Sequence, residues 1–199
     1  MKKKYSYDEL LEMEKTTIPL TMRKLEGIVF GYANLNAGDE MLGGYGGFSF
    51  ILYDTGIIEV REYVFPQILA KERFYQIPES CVSEIREVYL KYKDELDSLC
   101  APDNGSCDGS ISCFYFGNHW IDALNIDYAD APKIRCIRDA HPNDHEFEEI
   151  MKIVRIENKI MEIFFAVCSV FKQYKIILGQ FSVTVEGKST IKHSEFVCQ

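Results

Sequence analysis

The chain has 199 residues, of which 47% are hydrophobic and 27% charged, proportions typical of a globular protein with a packed core and not of a disordered chain. Its net charge of −9, from 31 acidic and 22 basic residues, repels phosphate backbones and argues against binding to nucleic acid. The longest apolar stretch, Ile163 to Val170, is far too short to cross a bilayer, so no membrane association is predicted.

The cysteines and the N-terminus indicate the compartment. Seven cysteines form an odd set without regular spacing, whereas a secreted disulfide framework is usually an even set in a short chain. No apolar stretch follows the basic start Met1 to Lys4, so no secretory leader is predicted. We therefore expect a cytoplasmic protein of bacterial type, in which the thiols are reduced.

The first predicted element is a short helix. Ser6-Tyr-Asp-Glu9 matches the capping box, in which the first and fourth side chains satisfy backbone amides at a helix start. The helix is predicted to run to about Lys15 and to end before Pro19. Residues 1–20 are thus predicted to be a helical N-terminal extension of a single α+β domain that spans residues 1–199.

A strand and a glycine-rich loop are predicted next. The strand runs from Glu26 to Tyr32, and the loop, Asn34 to Gly47, contains the run Gly-Gly-Tyr-Gly-Gly. This run lacks the lysine and the helix start of a phosphate-binding loop, so a flexible connection is favoured.

The second and third strands are predicted to form a hairpin. Phe48–Tyr53 and Ile57–Phe65 flank Asp54-Thr55-Gly56, a three-residue loop whose glycine suits a left-handed position. In the third strand, apolar residues alternate with Glu59 and Arg61, which therefore lie on the opposite face of the sheet.

An amphipathic helix is predicted after Pro78. Its apolar residues are spaced three and four apart, which places them on one face and the charged residues on the other. Pro102 and Gly105 end the pattern. The apolar stripe comprises Val82, Ile85, Tyr89, Tyr92, Leu96 and Leu99, and the charged face comprises Glu84, Glu87, Lys91, Asp94 and Glu95.

A second hairpin is predicted at Ile111–Phe116 and His119–Ile126, because Gly117-Asn118 is a strong two-residue turn signal. Both faces carry aromatic residues, which favours a central strand pair covered on both sides over an exposed binding platform. Pairing across this turn puts His119 on the opposite face from Cys113, so a Cys–His–Asp nucleophile is not expected here.

The C-terminal third is predicted to hold the longest helix. Pro132 breaks the chain, and Lys133–Arg138 is assigned to a strand. Asn143 is the predicted cap of a helix that runs to about Tyr174, and Phe181–Val185 alternates like a final strand. Because hairpins outnumber βαβ units, the predicted fold is α+β, with a mainly antiparallel sheet of about five to six strands packed by two long helices.

The loop Cys100–Gly109 is the most unusual polar segment and supplies the candidate binding residues Asp103, Asn104 and Asp108. Its cysteines lack the close spacing of a structural zinc site, and its oxygens lack the order of an EF-hand. The histidine pair before the long helix is interrupted by Pro142, which takes one histidine out of the helix. No metal ion or other cofactor is therefore predicted.

Two polar residues of the long helix, Glu157 and Asn158, interrupt its apolar stripes. After Glu162 the helix is apolar all round as far as Phe171, so this half is predicted to be buried, where polar side chains need partners. The two side chains either hold backbone amides of a loop, for which Asn104–Gly109 is the candidate, or line a pocket in which the pKa of Glu157 is raised.

No stretch of the sequence matches a catalytic motif, and three functions remain open. The first is a non-catalytic binding protein whose negative charge attracts a basic protein, as an immunity-type protein neutralises a toxin. The second is a small-molecule or metal-dependent enzyme with a pocket near residues 103–109, in which Glu157 is the acid or base and His119 or His145 is nearby. The third is a structural homo-oligomer joined through the aromatic hairpin.

We favour the binding protein, in an oligomeric state that the sequence does not fix. Charge complementarity would direct its partner to acidic residues. These are Asp103, Asp108, Asp122, Asp139, Asp144, Glu146, Glu148 and Glu149.

Overall fold

A computed structural model describes the chain over residues 27–37, 45–65, 68–100, 110–124, 126, 128–178, 183–185 and 192–194. The predicted helix at Ser6–Lys15 and the extension 1–20 lie outside these residues. The strands are β1 (Ile28–Ala37), β2 (Tyr45–Tyr53), β3 (Ile57–Phe65), β4 (Ile68–Gln76), β5 (Ser110–Phe116), β6 (His119–Leu124), β7 (Ile176–Leu178), β8 (Val183–Val185) and β9 (Lys192–Ser194). The helices are α1 (Glu79–Lys91), α2 (Lys93–Ser98), α3 (Ala131–Ala140) and α4 (Asp144–Gln173). None of these helices combines the length and the apolar composition needed to cross a membrane.

Seven of the described strands form one sheet in the order β6-β5-β1-β2-β3-β4-β9, and β7 pairs with β8 separately. Neighbouring strands are antiparallel throughout. Phe116 pairs with His119 and Cys113 with Asp122, as a two-residue turn requires. The α+β class and the antiparallel sheet are confirmed, but the aromatic hairpin lies at an edge of the sheet and not at its centre.

One face of the sheet forms the main core with α1 and α4. Phe30 of β1, Phe50 of β2 and Phe114 of β5 are almost fully buried there. The ring of Phe171 on α4 packs against two of them, with centroids 6.3 Å from Phe30 and 6.1 Å from Phe50. Val82 and the other apolar residues of the predicted stripe belong to the same cluster. The helical spacing of these residues therefore marks the buried face of the helix.

A smaller core joins α3 to the first half of α4. Asp130 caps α3, its Oδ1 accepting a backbone amide of the first turn at 3.0 Å, and Pro132 occupies that turn. Ile134 and Ile137, one turn apart, pack on the apolar residues of α4. The strand predicted at Lys133–Arg138 is therefore wrong, because the isoleucines have helical spacing and the cap and proline start a helix.

The strands differ from prediction at three places. β1 continues to Ala37 and β2 begins at Tyr45, so the glycine-rich loop is shorter than Asn34 to Gly47. β4 was not predicted, because the charged run Lys71-Glu-Arg73 in its middle hides the strand alternation. The short strands β7 and β9 were not predicted either.

The longest helix begins and ends close to the predicted residues. Asn143 is its cap, and Oδ1 of Asn143 accepts the backbone amides of His145 at 2.9 Å and Glu146 at 3.3 Å. The helix predicted from Pro78 is interrupted at Tyr92, which separates α1 from α2.

Candidate functional site

The candidate residues of the polar loop and the aromatic hairpin do not form a described site. Asp103, Asn104 and Asp108 lie outside the described residues. Asp122 is exposed on β6 and pairs in register with Cys113. Burial and then the hydrogen bond to Asp122 raise the pKa of Cys113, so its thiol stays protonated at neutral pH and is a poor nucleophile.

His119 connects the hairpin to α2. Its Nε2 donates to Oδ1 of Asp97 over 2.7 Å, and Nζ of Lys93 lies 2.5 Å from Oδ2 of the same carboxylate. The hydrogen bonds from Lys93 and then from His119 lower the pKa of Asp97. The other ring nitrogen, Nδ1, is buried without a hydrogen-bond partner in the described part of the chain. The imidazole thus ties β6 to α2 and is badly placed for general-base chemistry.

The acidic residues at the start of α4 are neutralised locally. Each of four exposed carboxylates there contacts a cationic or titratable partner on α3, on α4 or between them. Such surface pairs add little stability, but they cancel much of the negative field around them. The pairs are Asp144 with Arg138, Glu146 with His141, Glu148 with Arg155 and Glu149 with Lys152.

Asn158 holds the loop that leads into α3. Its Oδ1 accepts the backbone N–H of Ala129 at 2.7 Å, and its Nδ2 donates to the carbonyl of Ala129 at 2.9 Å. Ala129 is only 3% exposed, so both backbone groups need these partners. The side chain thus holds a loop backbone, as one of the two interpretations proposed, but the loop is the one before α3 and not the candidate Asn104–Gly109. The neighbouring Glu157 is half-buried.

The outer face of α1 and α2 is acidic and less neutralised. Glu79, Glu87 and Asp94 are exposed, and none of them forms an ion pair with another described residue. Leu90 is 64% exposed and lies three residues after Glu87 and four before Asp94. Residues three or four apart within one helix are neighbours on its surface, so Leu90 lies beside Glu87 on α1, and Asp94 lies on α2 beyond the interruption at Tyr92.

An aromatic pair is exposed on the neighbouring helix. Phe165 was predicted to be buried, because the sequence around it is apolar on every side, but it is 46% exposed. Tyr128 is exposed to the same extent, and the two rings meet edge to face with centroids 6.0 Å apart. Asn158 fixes the residue that follows Tyr128 and thereby sets the position of this ring.

A network of charges joins the acidic face to the aromatic pair. Lys159 on α4 reaches Glu95 on α2 at 3.3 Å and Glu162 at 2.8 Å. The hydroxyl of Tyr92 donates to Glu162 at 3.3 Å, and the hydrogen bond from Lys159 is the main cause of a lowered pKa for Glu162. Glu162 precedes Phe165 by three residues, so it stands beside the exposed ring.

We group these features under one name, the acidic–aromatic surface, because Lys159 and Tyr92 connect α2 to α4 through Glu95 and Glu162. It combines apolar side chains that solvent reaches with carboxylates around them. Its members are Glu87, Leu90, Asp94, Glu95, Tyr128, Glu162 and Phe165.

A buried ion pair lies on the other face of the sheet. Glu59 and Arg61 of β3 contact each other, although they are only 4% and 8% exposed. The hydroxyl of Tyr53 donates to Oε2 of Glu59 at 2.7 Å. The strand alternation predicted the face of both residues correctly, but nothing in it indicated burial, since charged residues on a sheet face are usually solvated.

A small apolar hollow lies beside this pair along β1. Its free volume is about 10 Å³, roughly the space that a single water molecule needs. Gly31 forms part of its floor, where an added Cβ would lie 3.3 Å from Cβ of Tyr115. A hollow of this size has no room for a metabolite. It is lined by Ile28, Gly31, Tyr32, Ala33, Ile51, Cys113, Tyr115 and Trp120.

Comparison with other proteins does not indicate a function, so the function is argued from the chemistry of the surface. Protein-family models, curated proteins and solved structures gave no match to this chain. Within the described ranges, no three histidine, cysteine, aspartate or glutamate side chains are grouped so that they could hold a metal ion.

Proposed function

We propose that the protein is a non-catalytic binding protein that docks a basic protein through the acidic–aromatic surface, as an immunity-type protein neutralises its toxin. The observation that carries the proposal is the uneven neutralisation of the acidic helices. At the start of α4, carboxylates such as Glu148 and Glu149 have cationic partners, whereas Glu87 and Asp94 on α1 and α2 form no ion pair with another described residue.

Unpaired carboxylates attract a basic partner more strongly than paired ones. Their field extends for about one Debye length, roughly 8 Å at physiological ionic strength. A field of this kind raises the rate at which a positively charged surface finds its docking site. The surface around Glu87 and Asp94 is therefore a better docking site for a cationic protein than the acidic start of α4.

The apolar members of the surface support binding to a protein. Protein interfaces combine a centre of aromatic and apolar side chains with a polar rim, and a few central residues supply most of the binding energy. Leu90, Tyr128 and Phe165 are exposed apolar side chains of the acidic–aromatic surface that could form such a centre. An acidic patch that only binds cations does not require exposed apolar side chains.

The remaining properties fit this function. A net charge of −9 disfavours a nucleic-acid partner. All five cysteines in the described part of the chain are free, and Cys100 and Cys136 are exposed, which suits a reducing compartment such as the cytoplasm.

Affinity capture with a matched variant tests the proposal. Tagged wild-type protein and the double variant Glu87→Lys/Asp94→Lys are used to capture proteins from the source lysate at low and at high salt, followed by mass spectrometry. We expect wild type to retain one basic protein at low salt, to lose it at high salt, and the variant to retain none. Retention of the same basic protein by both would contradict docking at this surface.

A further inference from the structure

We infer that Phe165, with Tyr128 against its edge, is the anchor for an arginine or lysine side chain of the basic partner. This inference rests on the proposed function and specifies the chemistry of the same surface. A cation above an aromatic face is attracted by the ring quadrupole, most strongly where the cation is partly desolvated. The two rings are equally exposed and meet at an interplanar angle of 67°.

The anchor is held in a fixed position before any partner arrives. Phe165 is in the second half of the 30-residue helix α4. The two hydrogen bonds from Asn158 to Ala129 fix the backbone next to Tyr128. A rigid pair of rings loses little conformational entropy on binding, so more of the contact energy remains as affinity.

The chain already uses this chemistry within its own fold. The guanidinium of Arg138 lies 4.6 Å from the ring centroid of Phe147 while it pairs with the carboxylate of Asp144. This contact places a cation between an aromatic ring and a carboxylate. Lys159 likewise lies 5.9 Å from the ring centroid of Tyr92 while it pairs with Glu162.

Phe165 has the ring of this arrangement, and the partner would supply the cation. Glu162, which pairs with Lys159, stands one turn before it on α4, and Asp130, which caps α3, follows Tyr128 by two residues. No cation of the described part of the chain lies over the ring of Phe165. An arginine fits best, since its planar guanidinium can stack on the ring and pair with a carboxylate at once.

A labelled octa-arginine peptide serves as the probe. Its binding to the full chain is measured by fluorescence anisotropy at physiological ionic strength for wild type, Phe165→Leu and Phe165→Tyr. We expect Phe165→Leu to weaken binding about three- to tenfold and Phe165→Tyr to bind like wild type, because leucine keeps the apolar contact but removes the π face. Tyr128→Leu should weaken binding in the same direction.

The outcomes separate the anchor from the docking surface. Unchanged binding by Phe165→Leu, together with weakened binding by Glu87→Lys/Asp94→Lys, would overturn the anchor and leave the proposed function standing. Equal weakening by Phe165→Leu and Phe165→Tyr would also overturn it, since the loss would then not follow the ring. Unchanged binding by all the variants would contradict the proposed function as well.

Discussion

The ring of Tyr89 on α1 occupies the space beside Gly117, so that a Cβ added to this glycine would lie 2.7 Å from Cζ of the tyrosine. Gly117 also has a φ of +59°, a conformation that favours glycine at the first position of a two-residue hairpin turn. The turn between β5 and β6 can thus pack closely against α1 because Gly117 has no side chain. His119 then adds its hydrogen bond to Asp97 from the same turn.

Gly117→Ala should be strongly destabilising. The left-handed conformation and the overlap with Tyr89 together should lower the free energy of unfolding by about 2–4 kcal/mol, measured by urea denaturation. Tyr89→Leu in the same background should recover part of the loss. Asn118→Ala, in the same turn, is the control and should change the free energy of unfolding by less than about 0.5 kcal/mol. Similar effects of the two turn substitutions would refute the steric account.

Asn158→Ala tests the link between α4 and the loop before α3. It leaves the buried N–H and C=O of Ala129 without their partners, and we expect a loss of about 2–4 kcal/mol in the free energy of unfolding. Ser169→Ala on the same helix removes a hydroxyl that donates to a backbone carbonyl over 2.8 Å and should have little effect. A loss as small for Asn158→Ala as for the control would show that the loop is held by other contacts.

The buried pair of Glu59 and Arg61 should be sensitive to the loss of either member. Glu59→Gln or Arg61→Met removes one charge of a buried ion pair, at a cost of about 3–5 kcal/mol. Glu59→Gln combined with Arg61→Met should cost less than the sum of the two single changes. The more exposed pair of Glu62 and Arg73, 3.1 Å apart, provides a control worth at most about 1 kcal/mol. Strict additivity at residues 59 and 61 would rule out the coupling.

Stability should fall in alkaline solution because of the buried thiol of Cys81 and the half-buried thiol of Cys168. Burial raises the pKa of Cys81 to about 12 and of Cys168 to about 11, from 9.0. Below about pH 8, these thiols are protonated in both states and have no effect. As pH rises through 9, the unfolded chain releases protons that the folded chain retains, so each thiol should lower the free energy of unfolding by about 1.4 kcal/mol at pH 10.

Urea denaturation at pH 8 and pH 10 in the presence of a reductant measures this effect. Cys168→Ala should reduce the difference between the two pH values, whereas Cys136→Ala, which removes an exposed thiol, should leave it unchanged. An equal difference in wild type and Cys168→Ala would contradict the assignment.

Local patterns predicted much of the fold, whereas the partners of individual side chains depend on long-range contacts. The turn at Gly117-Asn118 fixed the register of its hairpin, and Asn143 marked the start of α4, because both signals act over a few residues. The polar position of Asn158 in an apolar stripe also indicated a partner. Which partner it finds depends on a chain segment that packs against α4 only in the folded protein.

The candidate surface was less accessible to sequence reasoning. Glu87 and Asp94 were recognised as members of a charged face, but their lack of ion pairs with other described residues depends on which cations the fold brings close. The residues around Phe165 in the sequence are apolar and therefore predict that it is buried, so its exposure could not be predicted. Glu148 and Glu149 were favoured from the acidity of their segment, whereas the basic residues one or two turns along α4 neutralise them.

The most direct test of the proposed docking surface compares two charge reversals of equal size. Glu87→Lys/Asp94→Lys and Glu148→Lys/Glu149→Lys each exchange two negative charges for two positive ones, the first on the acidic–aromatic surface and the second on α4. The association rate with the captured basic partner is measured by stopped flow over a range of salt concentrations. We predict that the first variant slows association at least about tenfold at low salt and the second by less than about threefold. Equal slowing by both variants would show that only net charge matters and would contradict docking at this surface.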